Sequence, residues 1–212
     1  MTGSRRTTDV RQAELTDAAL HIIATKGITA LTTRSLAEQV GLSSGAIFKH
    51  FSSIDALLEA VVSRVEVVLE ATLPAATLPP VERLERFVEA RSTAVGAQLG
   101  ILRLVLAEQF LLALPKSGAE RLGACVQSTR AFLTACLREG QTSGVFRADL
   151  SADTLAPIVM GTIQMLALSP QKKRKRETDT RAVLDSLLVL LRPPPTPAPQ
   201  VTHVPQVRKK IR

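Results

Sequence analysis

Along the first 70 residues apolar side chains recur at helical rather than strand spacing. Leu15, Ala19, Ile22 and Ile23 mark one face of a first helix, and Lys26-Gly27 supplies its stop. A short second segment opens with Thr32 or Thr33 as N-cap, turns Leu36, Ala37 and Val40 inward, and ends at Gly41. Ser43 or Ser44 caps another short helix that runs to about Phe51. Ser52 or Ser53 then opens a long helix with Ile54, Leu57, Leu58, Val61, Val65, Val68 and Leu69 on one face. Pro74 and the Pro79-Pro80 pair bound its end. Five more helical stretches are expected at roughly 80–96, 98–113, 118–142, 152–169 and 178–191, punctuated by Pro115, Gly118, Gly140 and Gly144. No strand-like alternation competes, so the fold class is all-α.

Composition supports that reading and narrows the core. Hydrophobic residues make up 45% of the 212, yet aromatics only 3%, with no Trp or Tyr. The core is therefore aliphatic, rich in the Leu and Ala that favour helices. The longest uncharged stretch, Thr154 to Gln171, approaches membrane length. It carries Pro157, Gly161, Thr162, Gln164 and Ser169, which fit a buried interface helix better than a lipid span. No membrane partner is expected.

The net charge of +8 suggests an anionic partner until it is located. Lys172, Lys173, Arg174, Lys175 and Arg176 form one basic run; Arg208, Lys209, Lys210 and Arg212 form another. These nine charges exceed the whole net charge, so the rest of the chain carries about −1. The first run is expected to be a solvated loop between the last two helices. The second tips a proline-rich tail, 192–212, expected to be extended and disordered. Charge alone is thus poor evidence for nucleic-acid binding, and a motif must carry it.

Catalytic signals are lacking. No nucleophile–base pairing, metal-ligand cluster or phosphate-cradling glycine loop is visible, and His21, His50 and His203 stand apart from one another. Neither an enzyme nor a bound cofactor or metal is expected. Cys125 and Cys136 would share a helix face about 16 Å apart, which excludes an intrachain disulfide. Together with a polar N-terminus, this fits a reducing, cytoplasmic setting.

The segment from Thr33 to Phe51 has the steric logic of a helix-turn-helix. Two helices crossing steeply need a small residue at the contact, Ala37, and a turn residue that accepts positive φ, Gly41. Leu36, Val40, Leu42 and Ile47 would form the shared core. Ser44, Gly45 and Ala46 keep the front of the second helix small enough to approach a groove wall. Lys49 and His50 lie on its polar side, within reach of phosphates.

The run GITALTTRSLAEQVGLSSGAIFKHFSSIDALLEAVV makes this specific. It closely resembles the N-terminal domain of the tetracycline-repressor (TetR) family of transcriptional regulators, over about residues 9–65. The resemblance implies contact with double-stranded DNA by Thr33 and Arg34 at the start of the second helix. It implies base-facing positions for Ser44, Gly45 and Ala46 and further contacts from Phe48 and His50; Ser43 and Lys49 complete the expected DNA-binding set. Two positions depart from the family pattern. Phe48 stands where a Tyr is usual, and Ile54 where a phosphate-binding Lys is usual, so fewer phosphate contacts are expected.

Beyond residue 70 the resemblance is architectural. It implies a larger helical domain, 66–191, that binds an unidentified small-molecule effector and forms a homodimer, with repression relieved by the effector as the default and an effector-independent or architectural DNA-binding protein as the alternative. Arg103, Glu108, Gln109, Arg130 and Gln164 are the polar residues that could face a ligand, each read first as surface or structural. The uncharged stretch Leu155–Leu168 and the leucine stripe of the last helix suggest a four-helix dimer interface, with Leu155, Val159, Thr162, Ile163, Leu166, Leu184, Leu187, Leu188 and Leu191 as its residues.

Overall fold

The computed structural model describes residues 8–97, 108–168 and 173–194. Among these residues there are nine α-helices and no strand: α1 Thr8–Lys26, α2 Thr33–Val40, α3 Ser44–Ile47, α4 Ile54–Glu70, α5 Pro80–Ala97, α6 Glu108–Ala113, α7 Lys116–Thr142, α8 Ala152–Leu168 and α9 Lys173–Leu191. A 3-10 turn, Ile28–Ala30, separates α1 from α2. The expected tail from residue 195 on lies outside the described residues, as do Arg103 and the side chains of Glu108 and Gln109.

Two hydrophobic clusters hold these helices. The first joins the inward faces of α1 to α4 and receives Phe110, Leu114 and Leu122 from the α6–α7 region. The second gathers Leu84, Phe87 and Val88 of α5, Leu133, Cys136 and Leu137 of α7, Phe146, and the inner faces of α8 and α9. α7 enters both clusters, and α4 runs unbroken past residue 65, so the 65/66 boundary expected between two domains falls inside one helix. α4 is thus an unbroken rod from the α3 end to residue 70, and α7 links the two cores.

Polar staples fix α4 and the α4–α5 connection to α7. Arg121 of α7 forms ion pairs with Glu59 (3.0 Å) and Glu66 of α4 and donates to the Ser63 hydroxyl at 2.8 Å. Arg83, 5% exposed, donates to the Ala76 and Leu78 carbonyls of the α4–α5 connection and pairs with Glu139 of α7 at 2.7 Å. That guanidinium satisfies loop carbonyls that no helix serves.

The basic run differs from expectation. Lys173–Arg176 is the first turn of α9, not a connecting loop; Lys172 lies outside the described residues. Lys and Arg are good helix formers and nothing in 173–180 breaks a helix, so the helix whose apolar stripe begins later simply extends backwards. Both cysteines are free, as the spacing requires. Cys136 is buried against the Pro80 carbonyl (3.3 Å), and burial pushes its thiol up to about 11. Among the described residues no helix is long and apolar enough to cross a membrane.

Candidate nucleic-acid interface

The corner between α2 and α3 is built from its caps inward. Thr32, rather than Thr33, is the N-cap of α2. Its hydroxyl accepts from the Ser35 amide at 3.0 Å, and the Ser35 hydroxyl accepts from the Thr32 amide at 3.0 Å, a reciprocal capping box. The Ser35 hydroxyl also donates to the Ala30 carbonyl at 2.7 Å, which anchors the helix start to the preceding turn. α2 ends at Gly41, with φ 68° and ψ 37°, a left-handed conformation that costs a side chain about 1–2 kcal/mol. The Leu42 amide then reaches back to the Ala37 carbonyl at 2.9 Å and reverses the chain.

Helix α3 is shorter than the expected run to Phe51. Regular helix covers Ser44–Ile47, and a tightened turn continues it, with His50 and Phe51 amides both donating to the Ile47 carbonyl at 2.9 and 3.0 Å. Ile47 and Phe51 are buried and anchor this short element to Leu36, Ala37 and the α4 face. Gln12 of α1 adds a second tether by donating to the His50 carbonyl at 2.8 Å. Sequence reasoning missed Gln12, because a polar residue in the first helix carries no pattern that pairs it with a turn 38 residues away.

The remaining side chains of this corner face outward together. Arg34, Ser43, Ser44, Gly45, Phe48 and Lys49 are exposed, while Thr33 and Ala46 are half-buried beside them. Phe48, 51% exposed, is a surface ring and no part of the core. Among the described residues Arg34 meets only Glu38, at 3.0 Å, with both side chains largely in water. Such a pair is weak, so the guanidinium is free to turn to a phosphate. His50 is half-buried with its Nδ1 enclosed and unpartnered, which leaves it less available than its neighbours. Ile54 opens α4 directly after the Ser53 N-cap and packs on the first cluster, which accounts for an apolar residue there.

The second cluster is flanked by a cleft between α4, α5, α7 and α8. Leu69, Phe87, Val126, Met160 and Ile163 form its apolar walls, and Arg91, Thr129 and Gln164 its polar points. Its empty space is about 430 Å³, part of it open to solvent. Of the polar residues weighed from sequence, Gln164 lines this cleft and Arg130 is exposed on α7. Arg91 was missed although its signal is legible: it occupies the i+7 place of the apolar stripe Leu84, Phe87, Val88.

The structure places the expected dimer residues within the protomer as follows. Leu155, Val159, Ile163, Leu184, Leu187 and Leu191 point into the protomer's own second cluster, and Leu166 and Leu188 pack against it. Thr162 is half-buried and donates to the Ile158 carbonyl at 3.0 Å. A helix has one most apolar stripe, and here the protomer core takes it. The apolar residues left exposed on the same two helices are Ile158, Met165, Val189 and Leu190.

Residues 15–61, which contain this corner, match the family described as "Bacterial regulatory proteins, tetR family". Over 174 residues the chain is 26% identical to the HTH-type transcriptional repressor DhaR of Mycobacterium sp. (strain GP1), covering 80% of this chain and 86% of that protein. The ketosteroid transcriptional regulator KstR2 of Mycobacterium tuberculosis shares the fold with a TM-score of 0.76 at 21% identity, over 90% of this chain and 98% of KstR2. AibR, solved in complex with isovaleryl coenzyme A and operator DNA, shares it with a TM-score of 0.72 at 15% identity, over 84% of this chain and 98% of AibR.

Proposed function

From the premise that the chain belongs to the TetR family of bacterial regulatory proteins, we propose that it is a repressor that binds operator DNA sequence-specifically as a homodimer and is released by a small-molecule effector. The observation that carries this reading is the corner itself. A rigid, doubly tethered α2–α3 unit buries its anchoring side chains Leu36, Ala37 and Ile47 and leaves a small-residue front between exposed cations. Ser43 to Ala46 let the backbone approach base edges. Thr33, Arg34, Phe48 and Lys49 flank them as backbone contacts, and His50 supports the turn.

Arg34→Ala together with Lys49→Ala should weaken duplex binding about tenfold or more and flatten its salt dependence by roughly two phosphate contacts. Fluorescence anisotropy against a duplex selected from random sequence, over a salt series, measures both. Unchanged affinity and slope would remove the corner as the reading head.

Two-fold symmetry suits this arrangement, because paired heads must meet successive major grooves about 34 Å apart. The outward face of α8 and α9 supports a dimer through Ile158, Met165, Val189 and Leu190, which are too apolar to be left in water together. Ile158→Asp should shift the light-scattering mass from dimer to monomer at micromolar concentration, with the helical circular dichroism signal retained. A monomeric wild type would end the homodimer reading.

Effector release is the natural use of the cleft. Its wall includes Leu69, in the last turn of α4, the helix that begins just behind the reading head. A ligand can alter operator affinity only by binding two conformations unequally, and a cleft touching that rod gives it the means.

A further inference from the structure

We propose that the cleft beside Arg91 is built for a small apolar acid, whose carboxylate would be received by the Arg91 guanidinium. This rests on the reading of the cleft as the effector site and supplies the ligand class that reading leaves open.

Three arginines of this half of the protein make the contrast. Arg83 is as buried as Arg91, and its donors are taken by Glu139 and two backbone carbonyls. Arg121 is held by two carboxylates. Arg91 is 5% exposed and, among the described residues, meets no carboxylate. Among the described residues it donates to the Thr129 hydroxyl at 3.2 Å, and its guanidinium carbon lies 5.0 Å from the centre of the Phe87 ring. The Thr129 hydroxyl itself donates to the Cys125 carbonyl at 3.0 Å, so it accepts from Arg91 and orients it.

A guanidinium carries five N–H donors, and here most are unused. Burial lowers its pKa to about 10, which still leaves it charged at neutral pH. An uncompensated cation in an apolar wall is unfavourable, and a ligand that brings the missing anion removes the penalty. Glu66 and Glu70 act on Cys125 of this wall, and Glu66 is already bound by Arg121.

The surroundings set the rest of the ligand. Leu69, Phe87, Val126, Met160 and Ile163 surround an apolar body, and beside Arg91 the described polar lining is Cys125, Thr129 and Gln164. Only about 40 Å³ of the cleft's space admits a water-sized body, well below ordinary small-molecule sites, so the ligand must be compact. A cationic ligand would meet the Arg91 charge. A polyphosphorylated one would find a single cation among the described lining residues. One anionic head on a compact apolar body is what remains. Planar bidentate recognition by Arg favours a carboxylate.

The test uses the full-length protein without DNA. Isothermal titration compares hexanoate, octanoate and phenylacetate with their primary amides, on wild type and on Arg91→Gln. At least one acid should bind about tenfold or more tightly than its amide, and Arg91→Gln should erase that preference. Because the acid-to-amide comparison stands on the wild type, it survives a variant that folds poorly. Arg91→Lys, which keeps the charge but not the fork, should restore part of the preference. Equal binding of acids and amides, an undiminished preference in Arg91→Gln, or tight binding of octanoyl coenzyme A without octanoate would each overturn the acid class. Binding of no acid at all would do the same. Operator release is then read separately by anisotropy. Acid binding without release keeps the ligand class and removes the effector role; release by the amides keeps the effector role and removes the acid.

Discussion

Replacing Gly140 by alanine should destabilise the protein by about 2–4 kcal/mol, although the same change in an ordinary helix stabilises by about 1 kcal/mol. Gly140 lies inside α7, two residues before its end. Directly after the helix, Gly144 takes φ 74°, and the chain folds back so that the amides of Val145 and Phe146 both donate to the Gly140 carbonyl, at 2.9 and 3.0 Å. This return lays the Phe146 ring across the bare α-carbon of Gly140, where an added methyl would fall within the ring itself. Phe146 is 2% exposed and belongs to the second cluster, so its ring cannot swing aside without leaving the core.

Expelling a buried Phe costs about 3–5 kcal/mol, and the gain in helix propensity returns about one of these. Thermal unfolding should therefore fall by roughly 5–15 °C for a protein of this size. The double-mutant cycle sharpens the result. With Phe146→Ala already present, Gly140→Ala should be neutral or mildly stabilising, because the obstructing ring is gone. A wild-type-like melting temperature for Gly140→Ala alone would show that the ring has room to move.

Ile47→Ala should abolish most operator binding and leave the second cluster folded. α3 has four regular residues and one buried side chain, Ile47, which is 1% exposed among the α1–α4 core residues. An isolated helix of that length has no stability in water, so its position depends on packing. Removing the anchor costs about 2–5 kcal/mol. The Gln12 tether and the two capping-box hydrogen bonds, worth about 1 kcal/mol each, do not replace that buried contact. With the front of α3 no longer held against α2, affinity should drop about 30-fold or more. The effect enters once per subunit in a dimer. Anisotropy reads the affinity, and mean helicity and the dimer mass report on the remainder. Near-normal binding by Ile47→Ala would mean that Phe51 and the α4 junction hold the reading head without it.

These two sites differ in how far the sequence discloses them. Ile47 is visible at once, because Leu36, Ala37, Val40, Gly41, Leu42 and Ile47 form a local unit whose spacing already implies a corner. The helix order, the caps, the glycine turn and the outward set from Arg34 to Lys49 all depend on near neighbours along the chain. Periodicity and φ preferences encode such contacts directly. Gly140 reads along the chain only as punctuation. Its role exists because the turn at Gly144 returns Phe146 to it, and a side chain's direction after a turn is settled by packing.

The same division runs through the rest of the molecule. By itself the sequence determined that the described fold is all-helical, that a helix-turn-helix corner lies between residues 33 and 51, and that two helices with apolar stripes close the fold. Tertiary structure alone decided which face of those helices meets the protomer core. The stripe Leu155, Val159, Ile163 is apolar enough for either a core or a partner, and the hydrophobic effect, being non-directional, does not distinguish them. Tertiary structure also decided the state of the buried arginines. Arg83, Arg91 and Arg121 are chemically identical in the sequence. Carboxylates brought from 55 or more residues away answer Arg83 and Arg121, and the lack of such a neighbour among the described residues leaves Arg91 facing the cleft with its charge unanswered.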